Sequence, residues 1–568
     1  MTDILYARSE VWAALLREIW RRMRKRIRTG IIWRRRVGGR IADRITLSPP
    51  DLHFGDAQVA RDIYEGRFAF VGFGVETGGE SPFAVAPPSL AWEEELHGFC
   101  WLRHLGAASS DLASANARAL ANDWIELWER RNAEPAWAPG VTAQRVQSWL
   151  RHAPLVLAGA DHVFYRRFMR ALSRQVHFLR REARDMPPGV DRLKVRIVLA
   201  IAALALPRLG IARTASRRLA EELDAQILPD GGHVSRNPLL IAELLAELLP
   251  LRQCHAEAGV PPSQALVGAI DRMFPALRFF RHSDGAIAHF NGAGPTPTGL
   301  VATVLRQDES AGQPLAAATH SGFQRLAAGG TVLIADTGAP PRADQSSLAH
   351  AGCLSFEFSS LRQRIVVNCG APAIADEDLR QLARTTAAHS TAIVGETSSA
   401  RLRFPPSLSE LLRTPLLRGP RKVGVRRLAA RDESGFVAEH DGYAAAFNIL
   451  HRRTILLHET GDVIDGEDRF AAANGRNVNV KRDGVIVRFH LHPSIGAEIL
   501  PAGLIALTAQ NGDRWIFAAD PVAGEIADSV YFAATGGPVG TMQIVLDFKA
   551  SQTPVVTWRF TRVQRGAP

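Results

Sequence analysis

Cysteine, tyrosine and long apolar runs are all scarce in this 568-residue sequence, and each scarcity removes a class of protein. The four cysteines, Cys100, Cys254, Cys353 and Cys369, form no CxxC pair and no regular spacing. That argues against a zinc ribbon or a disulfide framework and leaves buried thiols as the expectation. No apolar run approaches the roughly 18 residues that a membrane-spanning helix needs, so the chain is not read as an integral membrane protein. The N-terminus brings Asp3, Arg8 and Glu10 where a secretory signal would place a short basic start and an apolar stretch. Only five tyrosines occur, Tyr6, Tyr64, Tyr165, Tyr443 and Tyr531, so any chemistry that needs a phenol has few candidates.

The net charge of +11 is concentrated at one end, because residues 1–44 carry thirteen Lys/Arg against four Asp/Glu. The remainder is nearly neutral, and a general surface for nucleic acid is not supported. Within the basic segment, Trp12, Leu16, Ile19, Trp20, Met23, Ile27 and Ile31 recur at three- and four-residue spacing. Residues 9–36 therefore read as a basic amphipathic helix, either docked with its arginines in water or making peripheral contact with an anionic membrane. A hydrophobic fraction of 46% and a charged fraction of 22% are those of a globular chain, long enough for two large domains.

From about residue 86 to 305 the apolar period is helical, with expected helices at 92–105, 112–131, 143–153, 167–184, 193–206, 215–228 and 239–254. After Gly312 the texture turns to short β-type runs, such as 331–335, 354–358, 364–368 and 484–489, punctuated by Gly, Pro, Asn and Asp. The expectation is an α+β multidomain chain: a basic segment over 1–44, helical hairpins forming an (α/α) toroid over 45–308, and an antiparallel β-sandwich over 309–568.

Several motifs then carry a family resemblance. Ala349-His-Ala-Gly-Cys-Leu-Ser-Phe-Glu-Phe358 resembles the HxHxDxLSFEL signature of heparinase II/III-like C-terminal domains, Val367-Asn-Cys-Gly370 their VDPG, and His389-Ser-Thr their HNTL element. His440-Asp-Gly-Tyr443, His451-Arg-Arg453, Gly466-Glu-Asp468 and Arg488-Phe-His-Leu-His-Pro493 look like the rest of that domain. Trp92-Glu-Glu-Glu-Leu-His-Gly-Phe-Cys-Trp-Leu-Arg103 and Asp230-Gly-Gly-His-Val-Ser-Arg-Asn-Pro238 resemble the group's WxxELHxFxWL and DGGHxERSPxYH elements, so the likeness covers roughly residues 60 to 500.

The resemblance implies a lyase that cleaves an acidic, uronate-containing polysaccharide by β-elimination. Such chemistry neutralises the sugar carboxylate, removes the C5 proton and protonates the O4 leaving group. His350 is the leading base or carboxylate contact, Tyr443 the candidate acid, and His233, Arg236 and Asn237 face the same groove, with Asn237 also placed to cap a helix. His97, Trp101, Arg103 and Arg145 are candidate substrate contacts, joined by Trp137 and Trp149, although tryptophans at helical spacing are more often core. Some members of the group hold a structural zinc through two histidines and an aspartate, which fall here on His350, His389 and Asn368. The sequence departs from the motifs at Leu240, Ile241, Ser235, Leu348 and Gly352, and neutral Asn is a poor zinc ligand. The reading is thus a lyase needing no cofactor, with a non-catalytic glycan-binding or envelope-assembly protein as its rival. The resemblance suggests the cell envelope or periplasm, the missing signal keeps the cytoplasm open, and no oligomeric state is assigned.

Overall fold

The computed structural model describes residues 39–565 except 132, 310–311, 343–344, 374–375, 402–418, 430–431 and 476–481, together with Leu16, Ile19, Trp20 and Met23. The basic amphipathic helix expected over residues 9–36 therefore lies outside the described residues apart from those four. The chain falls into two compact units. The first runs to Gln226 and adds Glu243–Asp271 and Gly299–Glu309; the second takes Ile227–Ala242, Arg272–Thr298 and everything from residue 310 onward.

The first unit is helical. Asp111–Trp128, Pro139–Arg151, His162–Glu182, Val190–Ala205 and Ala212–Gln226 lie close to the expected spans, and Leu239–Glu257, whose first four residues are assigned to the second unit, begins at its expected first residue. Polar side chains start several of them: Ser110 accepts from the Ala113 amide and Asp161 from the Phe164 amide, satisfying donors that the first turn leaves open. One expected helix, 92–105, is instead two, Leu90–Gly98 and Leu102–Ala108. The break is Phe99, which is left-handed at φ +60°. Its buried ring packs on Phe83, Trp101, Trp124 and Trp149 at centroid distances of 4.9 to 6.4 Å, and this packing offsets the backbone strain.

The second unit is an antiparallel β-sandwich. Among the described residues one sheet runs Glu525–Tyr531, Val539–Lys549, Gly484–Leu491, Gln363–Val367, Phe356–Ser360, Thr331–Asp336, Phe323–Ala328 and Ala317–Ala318, with Ala392–Val394 also paired to Gly484–Leu491. The other runs Ile495–Ile499, Ile505–Ala509, Arg514–Asp520, Val555–Gln564, Val463–Ala472, Ile449–His458, Glu433–His440 and Val423–Ala429. Alternation of buried and less buried positions along Ile449–His458 turns one face to the core, as the two-residue strand period requires. That core is aromatic, with Phe356 stacked on Trp558 at 5.3 Å.

The strand expected from Leu354 starts at Phe356, because Leu354 is left-handed at φ +60°. Its carbonyl accepts from Arg453 NH1, and the same guanidinium clasps Asp468 at 2.7 and 2.9 Å. His451 and Trp558 also donate to Asp468, and His440 donates to His451 Nδ1. All five side chains are buried, so the His440, His451-Arg-Arg453 and Asp468 motifs hold the sandwich together.

Candidate functional site

The second unit gathers most of the expected site residues, beginning with the turn at 229–238. Gly231 sits at φ +82°, with the Arg272 carbonyl where a side chain would go, so only glycine fits. Asp230 then accepts from both the amide and the hydroxyl of Ser321, at 2.7 and 2.8 Å. His233 Nδ1 accepts from the Ser235 amide at 3.0 Å, which puts the ring proton of neutral His233 on Nε2.

Arg236 was expected to contact a uronate carboxylate, and the structure corrects this. Its Nε donates to Ser321 O at 2.7 Å, NH1 to Gly338 O and Ala339 O at 3.3 and 3.0 Å, and NH2 to Gly322 O and Asp336 Oδ1 at 3.1 and 2.5 Å. All five guanidinium donors are spent inside the fold. Asn237 caps Leu239–Glu257, its Oδ1 accepting from the Leu239 amide at 2.9 Å. Its Nδ2 has no partner among the described residues and keeps some solvent contact.

Asn291 joins this turn to His350. It is left-handed at φ +47°, donates from Nδ2 to Arg236 O at 3.3 Å and accepts from the His350 amide at 3.2 Å. The His350 ring meets a second histidine, with Nδ1 3.1 Å from His389 Nε2, while His389 Nδ1 lies 2.7 Å from Thr385 O. A carbonyl only accepts, so His389 carries its proton on Nδ1 and its bare Nε2 receives the proton of His350 Nδ1. His350 Nε2 is then an unprotonated acceptor with no partner among the described residues. Burial pushes both rings toward the neutral form, His389 to about 4 and His350 well below its ordinary value.

These residues do not fit the zinc implied by the resemblance. Asn368 spends its Nδ2 on His289 O and its Oδ1 on the Ser390 amide, at 3.2 and 3.0 Å. Gly352 brings no donor, and a Cβ there would lie 2.6 Å from His389 Cδ2. Two imidazoles remain where a structural zinc takes four ligands, and no cluster of three or more His, Cys, Asp or Glu able to hold a metal occurs among the described residues.

Tyr443 lies elsewhere than its expected role requires. Only 1% exposed, it sits in the sandwich core and donates to Ala392 O at 2.8 Å, so its hydroxyl does not face a substrate. A different tyrosine lies beside histidine. The Tyr531 hydroxyl is 3.5 Å from both ring nitrogens of His289 and accepts from Arg364 NH1 at 2.8 Å. His289 in turn stands near Glu357, whose carboxylate takes His282 Nε2 at 2.9 Å and the His289 and Asn368 amides at 3.1 and 2.8 Å. Burial alone would raise the Glu357 carboxyl, but the His282 bond and the neighbouring donors bring it down to about 2. The scarcity of tyrosine could have singled out Tyr531; nothing in the sequence announces its pairing with a histidine some 240 positions earlier.

In the helical unit, His97, Trp101, Trp149 and Arg145 are interior residues, not the lining of a groove, and Trp137 is nearly so. Arg145 lies 3.9 Å over the Trp124 ring and donates to Gln175 Oε1 and His97 O at 2.7 and 2.8 Å; burial without a paired acid pushes its pKa well down. Trp101 Nε1 donates to Leu96 O, and Trp124 Nε1 to His97 Nδ1. Arg103 alone is half-buried, donating to Cys100 O with Asp51 3.6 Å away. Of the cysteines, Cys254, Cys353 and Cys369 are buried and Cys100 is partly so, all as free thiols.

Residues 310–559 match the family model described as heparinase II/III-like, C-terminal. The chain is 28% identical over 534 residues to FtsZ-localized protein C of Caulobacter vibrioides, covering 92% of this chain and 90% of that one. Among solved structures it resembles heparinase III with a TM-score of 0.71, at 14% identity, over 100% of this chain and 91% of that chain. It also resembles heparan sulfate lyase HepC of Pedobacter heparinus with a TM-score of 0.62, at 14% identity, over 94% and 88%. Residues 310–559 thus carry a heparinase II/III-like C-terminal domain, and the helical unit and antiparallel sandwich share the fold of heparinase III.

Proposed function

We propose that the chain is a lyase of an acidic, uronate-containing polysaccharide, cleaving by β-elimination without a metal. The observation that carries this reading is the bare Nε2 of His350, held as an acceptor by His389 and tied through Asn291 to the turn bearing His233, Arg236 and Asn237. His350 Nε2 takes the C5 proton, the C5 electron pair forms the C4–C5 double bond, and the C4–O4 bond breaks. The Nδ2 of Asn237, without a partner among the described residues and at a helix N-terminus, faces the uronate carboxylate, a position where negative charge is favoured. His233, whose Nδ1 is fixed as an acceptor by the Ser235 amide, is assigned the return of a proton to O4. Arg236 acts by fixing the turn.

A second reading is favoured by two observations. The Tyr443 hydroxyl is enclosed in the core, and the relative from Caulobacter vibrioides is named for its localisation with FtsZ, not for a reaction. In that reading the chain binds an envelope glycan, or assembles its machinery, without cleaving it. No helix among the described residues is long and apolar enough to cross a membrane, and residues 9–36 supply the basic surface for peripheral contact. The test is ultraviolet absorbance of the unsaturated uronate, with heparan, hyaluronan, chondroitin, alginate, polygalacturonate and bacterial exopolysaccharides as substrates. A rise that His350→Ala abolishes supports the lyase; a flat trace with retained glycan binding supports the second reading and overturns the first.

A further inference from the structure

An open cavity of about 220 Å³ lies in the sheet unit, at an edge that the two sheets share. Arg236, His320, Gln324, Thr337, Val423 and Val425 help to line it. The turn at 319–322, the loop after Thr331–Asp336 and the edge strand Val423–Ala429 bring these residues together. An open cavity of this volume admits a sugar-sized ring.

The polar groups of this cavity differ in what they leave unused. Arg236 has no donor to spare, and Asp336 balances its charge. Gln324 is otherwise placed. It is only 2% exposed, and its Oε1 receives Arg427 NH1 at 3.4 Å. Its Nε2 has no partner among the described residues and is not sealed from the cavity. An amide NH2 that faces an open cavity without a protein acceptor is left to water or to a ligand oxygen. Arg427 also donates to Ala316 O and Arg325 O, and no carboxylate pairs with it among the described residues. Its charge polarises the Gln324 amide toward donation and leaves this corner positive. Opposite, Val423 and Val425 offer an apolar wall, and His320 is exposed at the rim.

We propose that this cavity is a subsite for one carboxylated sugar ring, with Gln324 Nε2 donating to the carboxylate and the carbon face of the ring against Val423 and Val425. The proposal rests on the acidic-glycan reading but not on cleavage. Its test uses the intact chain, titrated with D-glucuronate and with D-glucose and followed by saturation-transfer NMR and calorimetry. Glucuronate should bind saturably and glucose more weakly. Gln324→Leu, which keeps the shape and removes the donor, should weaken glucuronate by about tenfold. Val425→Trp, a change at a 44% exposed position, should fill the cavity and abolish binding while thermal unfolding stays near that of the parent. Saturable binding unaffected by either variant, equal binding of the two sugars, or no binding of glucuronate would each overturn the proposal. Because the readout is binding, a flat absorbance assay with Gln324-dependent binding rejects cleavage and keeps the subsite. Cleavage of polymer without such binding does the reverse.

Discussion

His350 is oriented by a second imidazole and a backbone carbonyl, at the position where some members of the group hold a structural zinc. The purified chain should therefore carry well under one zinc per molecule by elemental analysis, and a chelator should leave its thermal unfolding unchanged; tightly held equimolar zinc would contradict the assignment. Tyr443→Phe should act on stability alone, leaving Ala392 O without its donor at a cost of about 1 to 3 kcal/mol. A loss of glycan turnover larger than the loss of folded protein would return Tyr443 to the catalytic set. Residue types at these positions were legible from motif and spacing, but their committed hydrogen bonds were not. Arg236 spends its donors on acceptors carried by residues 321, 322, 336, 338 and 339, about a hundred positions away, and no local pattern reports that. Separations of 51 and 242 positions likewise hid the sealing of Tyr443 by Ala392 and the pairing of Tyr531 with His289.

Asn237 has two duties that can be separated by substitution, since its Oδ1 caps a helix and its Nδ2 has no partner among the described residues. Asn237→Ala should cost about 1 kcal/mol through loss of the cap. Asn237→Asp keeps a capping oxygen and removes the amide donor, so it should unfold near the parent temperature yet be retained less on an immobilised acidic glycan. Equal retention of parent and Asp variant would remove Asn237 from the carboxylate contact. Helices and strands were legible because their periods of 3.6 and 2 are local properties of the sequence. The exceptions are left-handed residues: Phe99 splits one expected helix and Leu354 delays one expected strand, both bulky residues at φ +60° whose neighbours make that backbone tolerable. Tryptophans and Arg145 at helical spacing were equally compatible with a core and with a groove, and only packing decides between them.

Across the whole molecule, buried neutral histidines set the response to acid. Burial lowers His289 to about 4, and His490 and His492 to about 3, from an ordinary 6.5. An unfolded chain takes up these protons below pH 6.5 while the native one does not, so the stability they contribute is full above 6.5 and is lost as pH falls toward the folded values. Glu357, lowered to about 2 from 4.5, adds its own loss between those two values. Urea midpoints should thus decline from about pH 6, each histidine contributing roughly 1.4 kcal/mol per pH unit within its window. Constant midpoints between pH 7 and 5 would show that these rings are not held neutral. The two-part architecture was readable from the change of texture near residue 310, but the membership of 227–242 and 272–298 in the sheet unit was not, because helical periodicity runs straight through their borders. That membership has a consequence for synthesis. At 5 to 20 residues per second, the turn carrying Arg236 leaves the ribosome on the order of ten seconds before Asp336, its counter-ion, exists. During that interval the guanidinium is held by water alone and the turn is without the loops that later fix it.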